Sequence, residues 1–162
     1  MSAVVGREEI MNTLDAPAHL FTTGANPVSC EAALATLQMI EDEDLLTAST
    51  EKGAYVRERM AKWEAQYDFI GDIRGKGLSI GIDIVSDRQA KTRDNDAALK
   101  ICNYAFDHGV IVIAVAGNVL RFQPPLVITY EQLDTTLDVL EEAFEKLTNG
   151  ELDNYEISGQ GW

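Results

Sequence analysis

Histidine and cysteine are scarce in this chain, two of each among 162 residues, and their placement removes several chemistries. Cys30 and Cys102 are far apart in helix-like segments, and neither has a second Cys or His at metal-ligand spacing. No zinc cluster and no disulfide framework is expected, and both thiols read as free and buried. Basic residues are also few. Thirteen Lys and Arg against 27 Asp and Glu give a formal charge of −14, which opposes binding to phosphate backbones and to anionic membrane surfaces. Nucleic acid and membrane are therefore not expected partners. No apolar run approaches the ~18 residues of a membrane span, and no basic region leads into an apolar core at the N-terminus. A cytoplasmic address follows by elimination. Nucleophile elbows are lacking too, and no carboxylate pair stands out from the acidic background.

What the chain does contain is ordered alternation of helical and extended periods. Ser2–Gly6 reads as a short strand. Asn26-Pro27 is a helix start, with Asn26 as cap and Pro27 in the first turn, followed by Cys30, Leu34, Leu37 and Ile40 on one face. A second helix is expected from about Asp44 to Gln66, with a core stripe of Leu46, Ser49, Gly53, Val56, Met60, Trp63 and Tyr67. From Leu78 the period becomes two, placing Leu78, Ile80, Ile82 and Ile84 on one face of a strand. Asp94 to His108 reads as a helix stopped by Gly109, with strands at Val110–Val115 and Val119–Phe122 joined as a hairpin. Thr129 to Gln132 fits a capping box for a last helix through Leu147. Residues 149–162, acidic and aperiodic, read as a mobile tail or packing arm. The pattern predicts an α+β fold: a small sheet of about three to four strands with helices on one face.

Within this frame Arg121 stands out. A lone guanidinium in the apolar stretch Asn118-Val119-Leu120-Arg121-Phe122-Gln123-Pro124-Pro125-Leu126 offers a planar fork that matches a carboxylate and cannot shed its charge. A substrate carboxylate and an acidic partner within the fold both satisfy it. Gly71-Asp72-Ile73-Arg74-Gly75-Lys76-Gly77 reads as a turn or bulge entering a strand, or as an anion cradle. Phe21-Thr22-Thr23-Gly24-Ala25 sets two hydroxyls before a helix N-terminus, where a phosphate would be favoured. His108 reads as a C-terminal capping group, and His19 is placed where it could line a site.

These three segments, with His19-Leu20 and Val28-Ser29-Cys30-Glu31-Ala32-Ala33 alongside, resemble in order the C-terminal part of class III pyridoxal-phosphate aminotransferases, and among them the 4-aminobutyrate enzymes. The resemblance implies the C-terminal domain of a fold type I aminotransferase. Residues 1–25 would be a remnant of the cofactor-binding domain, 26–148 the small domain with its leading helices, and 149–162 a tail. It implies that Thr22 binds the phosphate of pyridoxal 5'-phosphate across a homodimer interface and that Arg121 binds the substrate carboxylate. The substrates would be amino and 2-oxo acids, with an amino group passing from 4-aminobutyrate to an acceptor such as 2-oxoglutarate. The lysine that holds the cofactor is expected upstream of residue 1, so no catalytic residue is assigned, and the chain alone is expected to be an inactive piece of a longer protein. A non-catalytic carboxylate-binding or assembly module is the competing reading.

Overall fold

The computed structural model describes residues 2–15 and 21–155. Two compact units divide after Leu45. In the first, α1 (Glu8–Met11) is a single turn and α2 (Pro27–Asp42) a regular helix. Asn26 caps α2 as expected, its side chain accepting from the Val28 and Ser29 N–H groups at 3.0 and 3.3 Å. Residues 2–7 form no strand. Extended backbone needs a neighbour to satisfy its N–H and C=O groups, and no described strand pairs with it.

The second unit holds α3 (Leu45–Met60) from Leu46 onward, α4 (Trp63–Gln66), β1 (Ile70–Lys76), β2 (Ser79–Asp87), β3 (Thr92–Arg93), α5 (Asn95–Asp107), β4 (Ile113–Val115), β5 (Val119–Phe122) and α6 (Tyr130–Thr148). The sheet runs in the order β1-β2-β5-β4, with β3 paired on β2, and every pairing is antiparallel. This is the expected α+β arrangement, with four full strands and the two-residue β3. The glycine-bearing segment is β1 itself, folded back on β2 in a hairpin with a bulge between Ile70 and Asp72. Its alternation was hidden because glycines occupy positions where side chains would show the period.

One face of the sheet is apolar. Ile80, Ile82, Ile84, Leu120 and Phe122 are buried on it, joined by Ile101 and Ala105 of α5 and by Leu133, Leu137, Leu140 and Phe144 of α6. Helix α6 begins in the predicted capping box, with Thr129 and Gln132 reciprocally bonded. Helix α5 is capped by Asp94 and ends at His108 and Gly109, whose φ of 81° places it in the left-handed region.

Several expectations need correction. The long second helix is broken at Ala61-Lys62, and Leu46 is exposed, leaving Gly53, Val56, Met60, Trp63 and Tyr67 to carry the stripe. Only Ile113–Val115 of the Val110–Val115 run pairs in the sheet, because β5 is short. The tail is packed through Tyr155: Leu152 is buried, and the Tyr155 hydroxyl donates to Asp107. Both cysteines are free but only half-buried. Burial still pushes the Cys102 thiol up to about 11, partly offset by a backbone hydrogen bond from Ala114.

Helix α3 and the β1–β2 turn approach at glycine. A Cβ at Gly53 would lie 2.3 Å from the carbonyl oxygen of Gly77, and Gly77 itself has a φ of 55°. Rigid backbone cannot yield there as a side chain would. Gly53→Ala should therefore cost about 1–3 kcal/mol in urea unfolding; an unchanged midpoint would show that the helix can shift.

Candidate functional site

Strand β5 is where the sequence pointed, and its geometry follows from period two. Leu120 and Phe122 are buried on the helix-covered face, so Arg121 between them emerges on the opposite face. There it pairs in register with Gly81 of β2 and Ile113 of β4. The register is pinned by Asn118, a polar residue that is buried. Its amide donates to Asp83 Oδ1 at 2.6 Å and to the Ile84 carbonyl at 2.9 Å, while the Ile84 N–H donates to the Asn118 carbonyl at 3.0 Å. Asn118 read as part of a turn in the sequence, and nothing in that pattern signalled its burial.

Arg121 is exposed, and among the described residues it makes no ion pair or hydrogen bond. Most other arginines contrast with it, although exposed Arg93 of β3 likewise makes no ion pair or side-chain hydrogen bond among the described residues. Arg59 joins Asp134 at 3.1 Å and Asp138 at 2.7 Å between α3 and α6, and Arg74 pairs with Asp72. One nitrogen of Arg88 donates to the carbonyls of Glu64, Tyr67 and Ile70, and Arg57 donates to the Gly77 carbonyl. The acidic partner within the fold, the competing reading of Arg121, is thus not found among these residues. A groove of about 410 Å³ adjoins Arg121, which is its one charged lining residue. Residues 110–113 and the pair Pro124-Pro125 supply much of the rest, with Gln123 and Thr136.

Thr22 lies in the exposed turn of residues 22–25 ahead of α2, and its hydroxyl makes no hydrogen bond among the described residues. The first-turn N–H groups of Val28 and Ser29 are already taken by Asn26. Those amides are therefore not left to donate to a ligand, whereas the Thr22 hydroxyl is. Among the described residues the Thr22 hydroxyl and the Arg121 guanidinium are each left free to donate to a ligand. Thr22 and Arg121 belong to different compact units, and each stands on its own surroundings. His108 is a helix cap, its Nδ1 2.7 Å from the Tyr104 carbonyl and its ring stacked on Tyr104. His19 lies outside the described residues. Among the described residues no cluster of His, Cys, Asp and Glu could hold a metal ion, and no helix is long and apolar enough to cross a membrane.

The family described as aminotransferase class-III matches residues 1–144. Isoleucine 2-epimerase of Lentilactobacillus buchneri is 51% identical over 163 residues, covering 100% of this chain and 36% of that protein. Leucine/methionine racemase of Thermococcus litoralis is 48% identical over 150 residues, covering 93% of this chain and 34% of that one. A probable 4-aminobutyrate aminotransferase of Bacillus subtilis is 38% identical, covering 87% and 33%. A PLP-bound amine transaminase from an uncultivated Pseudomonas species superposes with a TM-score of 0.75 at 32% identity, over 81% of this chain and 30% of that one. The chain belongs to the class-III aminotransferases, and it spans about a third of the length of the curated relatives it matches.

Because Arg121 is exposed and unpaired, Arg121→Gln should change unfolding free energy by no more than ~0.5 kcal/mol. A loss above ~1 kcal/mol in urea titration would reveal a structural partner.

Proposed function

We propose that this class-III aminotransferase chain forms the carboxylate-binding part of a pyridoxal-phosphate enzyme that inverts the α-centre of a small apolar amino acid. Its reaction would be racemisation or epimerisation. The observation that carries the proposal is the unpaired Arg121 beside a largely aliphatic groove, which suits a ligand with one carboxylate and an apolar side chain. Relatives named for isoleucine, and for leucine and methionine, support the same substrate class.

Pyridoxal phosphate, when bound, draws electrons from the substrate α-carbon and so loosens its hydrogen. The residues of this chain act around that chemistry. Arg121 holds the carboxylate by two parallel charge-assisted hydrogen bonds, which fixes the direction of the α-carbon bonds. Thr22 donates its hydroxyl to the cofactor phosphate, from the neighbouring subunit if the parent is the homodimer that its family resemblance implies. Lys52, in α3 with its Nζ 3.5 Å from the Leu126 carbonyl, is assigned no catalytic part. On this reading no lysine of the chain holds the cofactor, and the chain alone is inactive. A cytoplasmic address belongs to the same reading, supported by two free thiols.

A second reading, transfer of an amino group from 4-aminobutyrate to a 2-oxo acid such as 2-oxoglutarate, is supported by the 38% identical relative. Arg121 serves it equally well, since those substrates also carry carboxylates. What separates the readings is the product.

Grafting this chain in place of the matching third of the Lentilactobacillus epimerase should give a protein that interconverts isoleucine stereoisomers. Adding Arg121→Gln should lower kcat/KM roughly 100-fold, the loss of ~2.7 kcal/mol expected for a charged bidentate contact. Transamination of 4-aminobutyrate without epimerisation would favour the second reading, and full activity of the Arg121→Gln form would remove Arg121 from the site.

A further inference from the structure

Gly81 sits in the middle of β2, directly between Arg74 of β1 and Arg121 of β5 in one cross-strand row. Glycine weakens a strand interior, because it loses more freedom on folding and packs no side chain. Other glycines of this unit are demanded by the fold. Gly53 and Gly75 would drive a Cβ to within 2.3 Å or less of backbone oxygen, and Gly77, Gly109 and Gly117 have left-handed φ values. Gly81 has neither reason. A Cβ there would crowd one side-chain atom, Val119 Cγ1 at 3.2 Å, with the Arg74 carbonyl next at 4.0 Å; half-buried Val119 would have to shift by a few tenths of an ångström, but no backbone stands in the way. The bare position therefore suits the close approach of something that is not part of this fold.

The row states what that is. Directly opposed residues of an antiparallel sheet share a face, so Arg74 and Arg121 both rise beside the gap above Gly81. Neighbouring strands are ~4.8 Å apart, which puts the two Cα atoms roughly 10 Å from each other. Long guanidinium side chains leaning inward can meet over that span. Asp72 engages Nη1 of Arg74, leaving its other donors available, and Arg121 is unpaired. Two cations flank a floor without a side chain; Asp72 and Asp83 occupy the next row of the same face, but Asp72 is engaged by Arg74 and Asp83 accepts from Asn118, which leaves the Arg121 charge to seat an anion.

We infer that Gly81 is the floor of the carboxylate seat and Arg74 its second guanidinium, so that the substrate carboxylate rests on β2 between two arginines. This inference rests on the reading of Arg121 as a carboxylate clamp. It adds two residues that neither helical nor strand periodicity would single out, and it makes Gly81 a specificity-determining position whose enlargement would narrow the seat.

The test is titration of the full 162-residue chain with propionate, a simple monocarboxylate, followed by amide and arginine side-chain NMR, together with thermal unfolding. The unaltered chain should show shifts centred on Gly81, Arg121 and Ile113. Arg74→Gln should weaken propionate roughly tenfold, the loss of one charged hydrogen bond, and Gly81→Val should remove the shifts at the seat. Gly81→Ala should hold or raise Tm while weakening propionate, because strand propensity improves as the seat is encroached on. Binding lost in Arg121→Gln but unchanged in Arg74→Gln and Gly81→Val would overturn this inference and leave the Arg121 clamp intact. A drop in Tm for Gly81→Ala with unaltered binding would also overturn it, by showing that the fold needs the glycine. No propionate shift in the unaltered chain would defeat both readings together.

Discussion

Burial of one face of a small antiparallel sheet decides what the other face can present. Ile80, Ile82 and Ile84 of β2 and Leu120 and Phe122 of β5 are held against α5 and α6, and the strand period of two leaves Arg121 no choice of side. Fully burying each large aliphatic side chain contributes roughly 1.5–3 kcal/mol, so slipping β5 by one residue would expose two such side chains and bury a guanidinium. That penalty far exceeds any single surface contact Arg121 could gain. Asn118 adds a specific lock, because its amide bonds can be made in one register only.

The same logic separates the arginines into structural and available groups. Arg59 ties α3 to α6 through carboxylates, and Arg88 gathers three carbonyls around the end of α4. Surface pairs of this kind contribute little stability individually, but they do occupy the charge. Arg121 is left with its full set of donors, which is the physical requirement for recognising a ligand carboxylate.

Much of this was legible in the sequence, and the failures have identifiable causes. The cap of α2 and the capping box of α6 are local chemistry, so Asn26, Thr129 and Gln132 could be assigned from neighbours alone. Arg121 was visible as a charge in an apolar run. Strand β1 was not visible, because Gly71 and Gly75 erase its alternation and its pairing with β2 is a tertiary fact. The Ser2–Gly6 strand failed for the opposite reason: its residues favour extension, but no described strand completes its hydrogen bonds. Leu152 and Tyr155 carry no period, and they are anchored by a surface formed only once α5 and α6 have packed. Gly81 read as one side of an ordinary alternating strand, and its meaning emerges only from the register that sets it beside two arginines.

On the proposed reading, β5 presents Arg121 as an unpartnered cation that a carboxylate can occupy. Timed phenylglyoxal modification with mass mapping of each arginine tests it most directly, in the absence and presence of propionate. Arg121 should react at the rate of an exposed arginine and be slowed selectively by the carboxylate. An Arg121 that resists modification without ligand, or that reacts equally fast with and without it, would contradict the claim.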